Sequence, residues 1–159
     1  VLGLDMGMFY KRRDYTRIVN GRNPIVAHEF LGSSVEGKDV IIIDDMISSG
    51  DSIIEVATEL KRRKAKRIFA AATFGLFTNG LDKFDQAYED GTISGILTTN
   101  LIYQTPELLS RPYYINCDMS KYIALIIDTL NHDGSISSIL SPDERIQHVL
   151  QKYKNGETI

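Results

Sequence analysis

The most constraining feature of the sequence is a short apolar run that leads directly into two aspartates. Residues 40–43 read Val-Ile-Ile-Ile, and Asp44 and Asp45 follow at once. An unbroken run of β-branched residues predicts a buried strand, as in a parallel sheet. A small polar segment, residues 48–52, comes next. An apolar stripe with helical spacing then follows, at Ile53, Val56, Ala57 and Leu60. The pattern therefore predicts a strand, a loop and an amphipathic helix in succession, which is the repeating unit of α/β proteins.

The polar segment is expected to lie at the N-terminus of this helix. Its residues are Ser48, Ser49, Gly50, Asp51 and Ser52. Unpaired N–H groups and the positive end of the helix dipole, roughly half an elementary charge, favour a phosphate there, and the serine hydroxyls add donors. Ionised carboxylates only accept hydrogen bonds, so Asp44 and Asp45 suit the adjacent hydroxyls of a ribose or a divalent metal. The pattern therefore indicates a ribose 5-phosphate site, although these residue types are also ordinary structural choices in turns.

Strands and helices alternate along the rest of the chain. Strands are expected at residues 8–10, 25–31, 39–43, 67–73, 93–99 and 113–117. Helices are expected at residues 52–64, 81–89, 120–130 and from a capping box at residues 141–144 to about residue 153. This alternation predicts a mainly parallel sheet that is buried on both faces. The helix at 120–130 is apolar on nearly all sides and should be buried, whereas residues 11–24 read as a long flexible segment.

Composition excludes several classes of protein. The chain has a formal net charge of -3 and a pI near 5.6, whereas a nonspecific nucleic-acid binder is normally basic. Its single cysteine, Cys117, cannot form an intramolecular disulfide, and its three histidines offer no zinc pattern. No apolar run approaches the roughly 20 residues that a membrane span needs. We therefore expect a cytoplasmic protein that binds neither nucleic acid nor membrane.

Residues 40–52 resemble the phosphoribosyl diphosphate signature that phosphoribosyltransferases share with ribose-phosphate pyrophosphokinases. Four other segments resemble the pyrophosphokinase branch: Lys11-Arg12-Arg13, Gly37-Lys38, residues 72–77 and Thr98-Thr99-Asn100. The resemblance covers residues 1 to about 140 and implies a type I phosphoribosyltransferase-like fold, which is a three-layer α/β architecture. It also implies that the chain is the C-terminal half of a longer enzyme. The N-terminal, ATP-binding half is then absent from this chain, and residues 141–159 form a helical extension.

The same resemblance implies a role for each matching residue. Asp44 and Asp45 would bind the ribose hydroxyls, and residues 48–52 the 5-phosphate. Lys11 and Arg13 would bind the diphosphate of ATP as it moves to the anomeric hydroxyl of ribose 5-phosphate. Mg²⁺ is the implied cofactor, within reach of the two aspartates through the bound ribose. ATP would bind mainly on the missing half and on a neighbouring subunit of a homo-oligomer, so the chain alone is expected to be inactive.

Two positions of the loop depart from the family's pattern. The family usually has Asp in the first position and Gly in the fourth, whereas this chain has Ser48 and Asp51. A carboxylate beside a phosphate is repulsive unless it turns away. Two alternatives therefore stay open. One is a phosphoribosyltransferase, which needs a base-binding hood that the sequence does not reveal; the other is a non-catalytic regulatory relative that binds the sugar phosphate.

Overall fold

The computed structural model of the chain describes residues 2–13 and 25–157. Its strands are β1 (Met8–Arg13), β2 (Ile25–Leu31), β3 (Val40–Ile47), β4 (Ile68–Gly75), β5 (Gly95–Thr99) and β6 (Tyr114–Cys117). Its helices are α1 (Asp51–Arg62), α2 (Asp82–Glu89), α3 (Pro106–Leu109), α4 (Ser120–Asn131), α5 (Ser137–Leu140) and α6 (Asp143–Lys154). Every predicted strand and helix has an observed counterpart, while the short helices α3 and α5 are additional.

The main sheet contains four strands in the order β3-β4-β5-β6. β3 pairs with β4 and β4 pairs with β5 in parallel, so that Ile42 lies beside Ala70 and Ala70 beside Ile96. Parallel neighbours need a crossover connection, and α1 and α2 provide it. The predicted α/β class with a mainly parallel sheet is therefore confirmed.

The core of this sheet is built around helix α1. Ile53, Ala57 and Leu60 are three or four residues apart, so they share one face of the helix, and all three are buried. On β4, Ile68 and Ala70 are fully buried. α1 packs against both β3 and β4. This packing fixes the N-terminus of α1 at the carboxyl end of β3.

The prediction that both faces of the sheet are buried is wrong for β3. Ile41 is 57% exposed and Ile43 is 83% exposed, whereas Val40 and Ile42 are half-buried against the core. Successive side chains of a strand point to opposite faces, and the described residues cover only the face that carries Val40 and Ile42. An unbroken apolar run does not distinguish a strand that is covered on both faces from one that is covered on one.

β1 and β2 form a separate antiparallel hairpin. Its register pairs Arg13 with Ile25, next to an irregularity in the ladder. β2 occupies the residues predicted for it. The expectation that the chain becomes a loop at Lys11 is wrong, because Lys11 and Arg13 continue β1 through paired backbone positions. The rest of the predicted flexible segment, residues 14–24, lies outside the described residues.

The chain divides into two compact units. The first, Leu4–Asn116, contains the hairpin and the main sheet, and the second, Val1–Gly3 with Cys117–Ile159, contains α4, α5 and α6. Within the second unit, the guanidinium of Arg145 lies 5.2 Å from the centre of the Tyr122 ring, a cation–π contact between α6 and α4. In the part of the chain that the structure describes, no helix has both the length and the apolar character needed to cross a membrane.

Two predictions for the second unit are wrong. α4 contains no buried residue, and its Ile127 and Leu130 are 63% and 57% exposed. An apolar surface on all sides shows that burial of a helix is favourable, but it does not show which residues cover it. The capping box of α6 does not form either, because Pro142 occupies the N-cap position and the cap has no side-chain hydrogen bond.

Candidate functional site

The candidate site lies at the carboxyl end of β3 and in the loop that leads to α1. β3 runs to Ile47, beyond the predicted end at Ile43, so Asp44 and Asp45 lie within the strand. Both carboxylates are exposed. Because successive side chains of a strand alternate between its faces, the two aspartates leave β3 in opposite directions.

Gly50 forms the bend of the loop and is the N-cap residue of α1. Its φ of 83° lies in the left-handed region, which glycine adopts without the steric cost of a Cβ atom. Gly50 is buried, and a Cβ added to it would lie 2.1 Å from Cζ of Phe84. Phe84, on α2, is 1% exposed. Glycine is therefore required here both by the backbone conformation and by the close approach of α2.

The first turn of α1 presents backbone donors next to this bend. The Ile54 N–H donates to the Gly50 carbonyl at 3.0 Å, which closes the turn. Gly50 has no side chain, so the N-cap residue provides no acceptor for the N–H groups that precede Ile54. The arrangement is suited to an anion, because N–H donors and the positive end of the helix dipole meet at this point.

A small pocket of about 100 Å³ opens between the strand end and the loop. It is lined by Asp44, Met46, Ile47, Ser48, Ser49, Gly50, Ser52 and Ile53. A water molecule occupies about 30 Å³ in the liquid, so the pocket has room for a group of phosphate size. The structure thus brings Asp44 together with most of the predicted loop residues, whereas Asp45 and Asp51 are not among the lining residues.

The binding roles of Asp45, Lys11 and Arg13 remain predictions. Asp45 is tied to its neighbour through its backbone, since the Asp45 N–H donates to Oδ1 of Asp44 at 2.9 Å. Lys11 and Arg13 lie on β1, in the hairpin rather than in the loop that lines the pocket.

Lys83, in the first turn of α2, lies beside the loop in a position that the sequence did not reveal. Its ammonium forms an ion pair with Oδ1 of Asp51. Oδ2 of the same carboxylate accepts a hydrogen bond from the Ser49 hydroxyl at 2.9 Å. Asp51 and Lys83 are separated by 32 positions in the sequence, and no local pattern links them, so only the fold brings this cation to the loop.

The segment after β4 holds the loop in place. The Leu76 N–H donates to the Ile47 carbonyl at 2.8 Å, and the Thr78 N–H donates to the Ser48 carbonyl at 3.0 Å. Both acceptors belong to the chain that lines the pocket. The loop is therefore fixed by backbone hydrogen bonds from the neighbouring strand end.

Among the described residues, no group of three or more His, Cys, Asp or Glu side chains is arranged to hold a metal ion. Asp44 and Asp45 supply two exposed carboxylates on consecutive positions. In proteins, Mg²⁺ keeps several waters and is usually held by one or two carboxylates together with substrate phosphates. Asp44, which lines the pocket, therefore fits Mg²⁺ as part of a substrate complex, whereas the Asp45 side chain leaves β3 on the opposite face.

A larger pocket, of about 380 Å³, lies at the C-terminal end of α1. Its charged lining residues are Glu36, Arg62, Arg63 and Lys64. Arg62 and Arg63 both pair with Glu59, at 2.7 and 2.8 Å. Lys64 pairs with Glu36 at 2.9 Å. Open α/β sheets bind ligands at the carboxyl ends of their strands, so we place the candidate site at the smaller pocket.

The fold and the smaller pocket define a class of protein. A parallel sheet with a serine-rich loop between the end of β3 and the N-terminus of α1 defines an α/β protein whose strand end is suited to bind an anion. Comparison with known proteins narrows this class to a family. Residues 19–141 match the phosphoribosyl synthetase-associated domain. The chain belongs to that family, and the predicted relationship to ribose-phosphate pyrophosphokinases is confirmed.

Individual relatives agree with this assignment. The ribose-phosphate pyrophosphokinase of Vibrio parahaemolyticus is 28% identical over 139 residues, which are 87% of this chain and 41% of that protein. The protein of the same name from Thermococcus kodakarensis is 33% identical over 112 residues, 69% of this chain and 38% of that protein. The chain thus spans about two fifths of the length of these relatives.

The crystal structure of phosphoribosylpyrophosphate synthetase from Mycobacterium smegmatis is similar to this chain, with a TM-score of 0.59 and 24% sequence identity. The match covers 68% of this chain and 35% of that one. At this identity the likeness supports the fold.

Proposed function

We propose that the chain forms the ribose 5-phosphate-binding part of a ribose-phosphate pyrophosphokinase. The reaction transfers the β,γ-diphosphate of ATP to the anomeric hydroxyl of ribose 5-phosphate, and its product is phosphoribosyl diphosphate. The observation that carries the proposal is the pocket in which Asp44 meets the serine-rich loop at the N-terminus of α1. The names of the relatives, which are ribose-phosphate pyrophosphokinases, support it.

The proposed site binds the two ends of the sugar phosphate by different chemistry. The 5-phosphate binds the first-turn N–H groups of α1 and the hydroxyls of Ser48 and Ser52, where the helix dipole favours an anion, since the Ser49 hydroxyl already donates to Asp51. Asp44, which lines the pocket, accepts hydrogen bonds from ribose hydroxyls. Contacts at both ends fix the position of the anomeric hydroxyl. Such positioning is a large part of what a protein contributes to phosphoryl transfer.

Lys11 and Arg13 are proposed to act on the diphosphate rather than on the sugar. Both lie on β1, whose hairpin leads into residues outside the described part of the chain. Charge develops on the phosphoryl oxygens during transfer, and cations placed beside them stabilise the transition state. In this proposal the two residues stabilise that charge while the loop holds the acceptor sugar.

Mg²⁺ is the proposed cofactor, and when bound it would neutralise and orient the diphosphate. Asp44 is the described pocket residue that would hold it, together with substrate oxygens. We place the ATP site mainly on the part of the relatives' length that this chain does not span, and on a neighbouring subunit of a cytoplasmic homo-oligomer.

The proposal is tested by measuring AMP formation from ATP and ribose 5-phosphate with the protein at its full natural length. We expect magnesium-dependent turnover, and a loss of at least roughly tenfold in kcat/KM for Asp44→Asn, because one charge-assisted contact to the sugar is removed. Asp128→Asn, on the exposed surface of α4, is the matched control and should leave kcat/KM unchanged. Turnover that is the same in the Asp44→Asn variant and the parent would contradict the proposed site.

A second candidate function is a non-catalytic relative that binds the sugar phosphate and regulates an active partner. The observation that favours it is the pair of loop departures, Ser48 and Asp51, because both change the charge pattern around the proposed phosphate. The same measurement separates the two functions. Binding of ribose 5-phosphate without AMP formation would support the regulatory relative, whereas turnover would support the enzyme.

A further inference from the structure

We propose that Phe77 is a positioning residue for the proposed phosphate site, and that its left-handed backbone conformation sets the direction of the loop. This inference rests on the proposed function, since it concerns the same pocket. Phe77 follows β4 and has a φ of 47°. A bulky residue is uncommon in this region, because its Cβ comes too close to a carbonyl oxygen. Such conformations persist where the surroundings enforce them, and they cluster at ligand sites.

The conformation of Phe77 shifts the pairing between β3 and β4 by one residue. The strands pair in parallel as far as Ile47, whose carbonyl accepts the Leu76 N–H at 2.8 Å. A regular parallel ladder would bring the Thr78 N–H to the carbonyl two residues beyond Ile47. The Thr78 N–H donates instead to the Ser48 carbonyl, one residue beyond, at 3.0 Å. Phe77 is therefore the extra residue of a bulge, a feature that ends strand pairing and is frequent beside active sites.

The two hydrogen bonds fix the direction of the peptide groups where the loop begins. Ile47 and Ser48 line the pocket, whereas their partners, Leu76 and Thr78, do not. Carbonyl oxygens only accept hydrogen bonds and offer nothing to a phosphate, and these two are engaged by donors outside the pocket lining. A trans peptide places its N–H opposite its carbonyl, so the same bonds orient the N–H groups of Ser48 and Ser49. The bulge therefore sets how the loop presents its donors.

Aromatic packing on two sides holds Phe77 in place. Its ring centre lies 5.1 Å from that of Phe84 and 6.3 Å from that of Tyr114, both in edge-to-face arrangements. Phe84, on α2, is 1% exposed. The Tyr114 hydroxyl, on β6, forms a hydrogen bond of 2.6 Å with the hydroxyl of Thr98, which is 2% exposed on β5. The Phe77 ring thus lies between two anchors that are fixed in the core, and this packing offsets the cost of the left-handed backbone.

Calorimetric titration with inorganic phosphate and with ribose 5-phosphate tests the inference on the parent protein and on the variants Phe77→Ala and Phe77→Gly. Both substitutions remove the ring, so the variants differ in the preference of the backbone. Alanine rarely adopts the left-handed conformation, so we expect the Kd for both ligands to rise roughly 5- to 30-fold, in proportion to the lost population. Glycine adopts left-handed and right-handed conformations about equally, so the Kd should rise only about twofold.

The matched control uses Lys64, which has a φ of 64° near the other end of α1 and does not line the smaller pocket. Lys64→Ala and Lys64→Gly make the same backbone changes away from the loop, so both affinities should stay as in the parent. Parent-like affinity in Phe77→Ala would overturn the inference while leaving the proposed function intact. An equal loss in Phe77→Ala and Phe77→Gly would also overturn it, because the handedness of the backbone would then not matter. A parent protein that binds neither ligand would overturn the proposed function and the inference together.

Hydrogen exchange in the parent protein gives a second readout, which does not depend on the folding of a variant. Exchange of the Thr78 N–H requires its bond to the Ser48 carbonyl to open, and a phosphate that binds only the positioned loop opposes that opening. At a free phosphate concentration of about 100 times the Kd, this exchange should slow by about 100-fold. The Gly37 N–H, which donates to the Lys64 carbonyl at 2.9 Å, is the control and should exchange as before. Unchanged exchange at Thr78, or the same slowing at Gly37, would overturn the inference.

Discussion

Replacement of Gly50 by alanine should destabilise the loop between β3 and α1. Gly50 combines a left-handed φ of 83° with the close approach of Phe84, whose Cζ, Cε2 and Cε1 atoms would lie 2.1, 2.7 and 3.0 Å from an added Cβ. A flexible side chain would move aside at little cost, but the Phe84 ring is buried at the base of α2. The added methyl group must therefore displace either the ring or the loop.

The expected loss of stability follows from three contributions. A left-handed residue with a Cβ costs about 1–2 kcal/mol. Overpacking in a filled core typically costs about 1–3 kcal/mol. Alanine also lowers the conformational entropy of the unfolded chain, which offsets about 0.4–1 kcal/mol of this loss. The net expectation for Gly50→Ala is a destabilisation of about 1–5 kcal/mol, together with a loss of the phosphate binding that we propose for the loop.

Urea unfolding followed by circular dichroism measures this change, since the chain has no tryptophan to report by fluorescence. Gly80→Ala is the matched control, because Gly80 has a φ of 78° and an added Cβ would meet nothing within 4 Å. It should cost no more than about 1.6 kcal/mol. Phe84→Leu shortens the clashing ring, so in that background Gly50→Ala should cost little more than the control. Equal destabilisation by Gly50→Ala and Gly80→Ala would refute the steric argument.

Two further predictions concern polar groups outside the pocket. Tyr113 is 2% exposed and donates a hydrogen bond to Asp85 at 2.5 Å; burial and this bond raise the pKa of Tyr113, and Tyr113→Phe should cost about 1–3 kcal/mol in urea unfolding. A change in the free energy of unfolding below about 0.5 kcal/mol, which is typical of a surface substitution, would contradict a stabilising role for this hydrogen bond. The guanidiniums of Arg62 and Arg63 hold the pKa of Glu59 at about 2, below its usual 4.5. This depressed pKa stabilises the fold above pH 4.5, and the stabilisation should fall as the pH drops towards 2; in Glu59→Gln the decline over that window should be shallower, and an identical pH profile would contradict the assignment.

The sequence predicted the parts of the site that depend on local pattern. The run of residues 40–43 and the helical stripe after it fix a strand, a loop and a helix, because the periods of strands and helices differ. The loop composition indicated a phosphate, since small polar residues before an amphipathic helix leave backbone donors for an anion. The pocket that Asp44, Ser48 and Ser49 line lies in this predicted strand and loop.

Features that depend on contacts between distant segments could not be predicted. Lys83 reaches Asp51 across 32 positions, and nothing near either residue encodes that approach. The exposure of Ile43 could not be predicted for a similar reason. An apolar strand face shows that its burial is favourable, but it does not show which residues cover it. The side chains of Asp44 and Asp45 point to opposite faces because β3 continues past both residues. Sequence patterns define the ends of such elements poorly.

The most direct test of the account is a calorimetric titration of ribose 5-phosphate and inorganic phosphate into the protein and its Asp44→Asn variant. We expect the variant to lose affinity for the sugar phosphate while its affinity for inorganic phosphate stays the same, because we propose that Asp44 binds the ribose hydroxyls and that the loop binds the phosphate. Equal affinity of parent and variant for ribose 5-phosphate would contradict the central claim that this pocket binds both ends of one sugar phosphate.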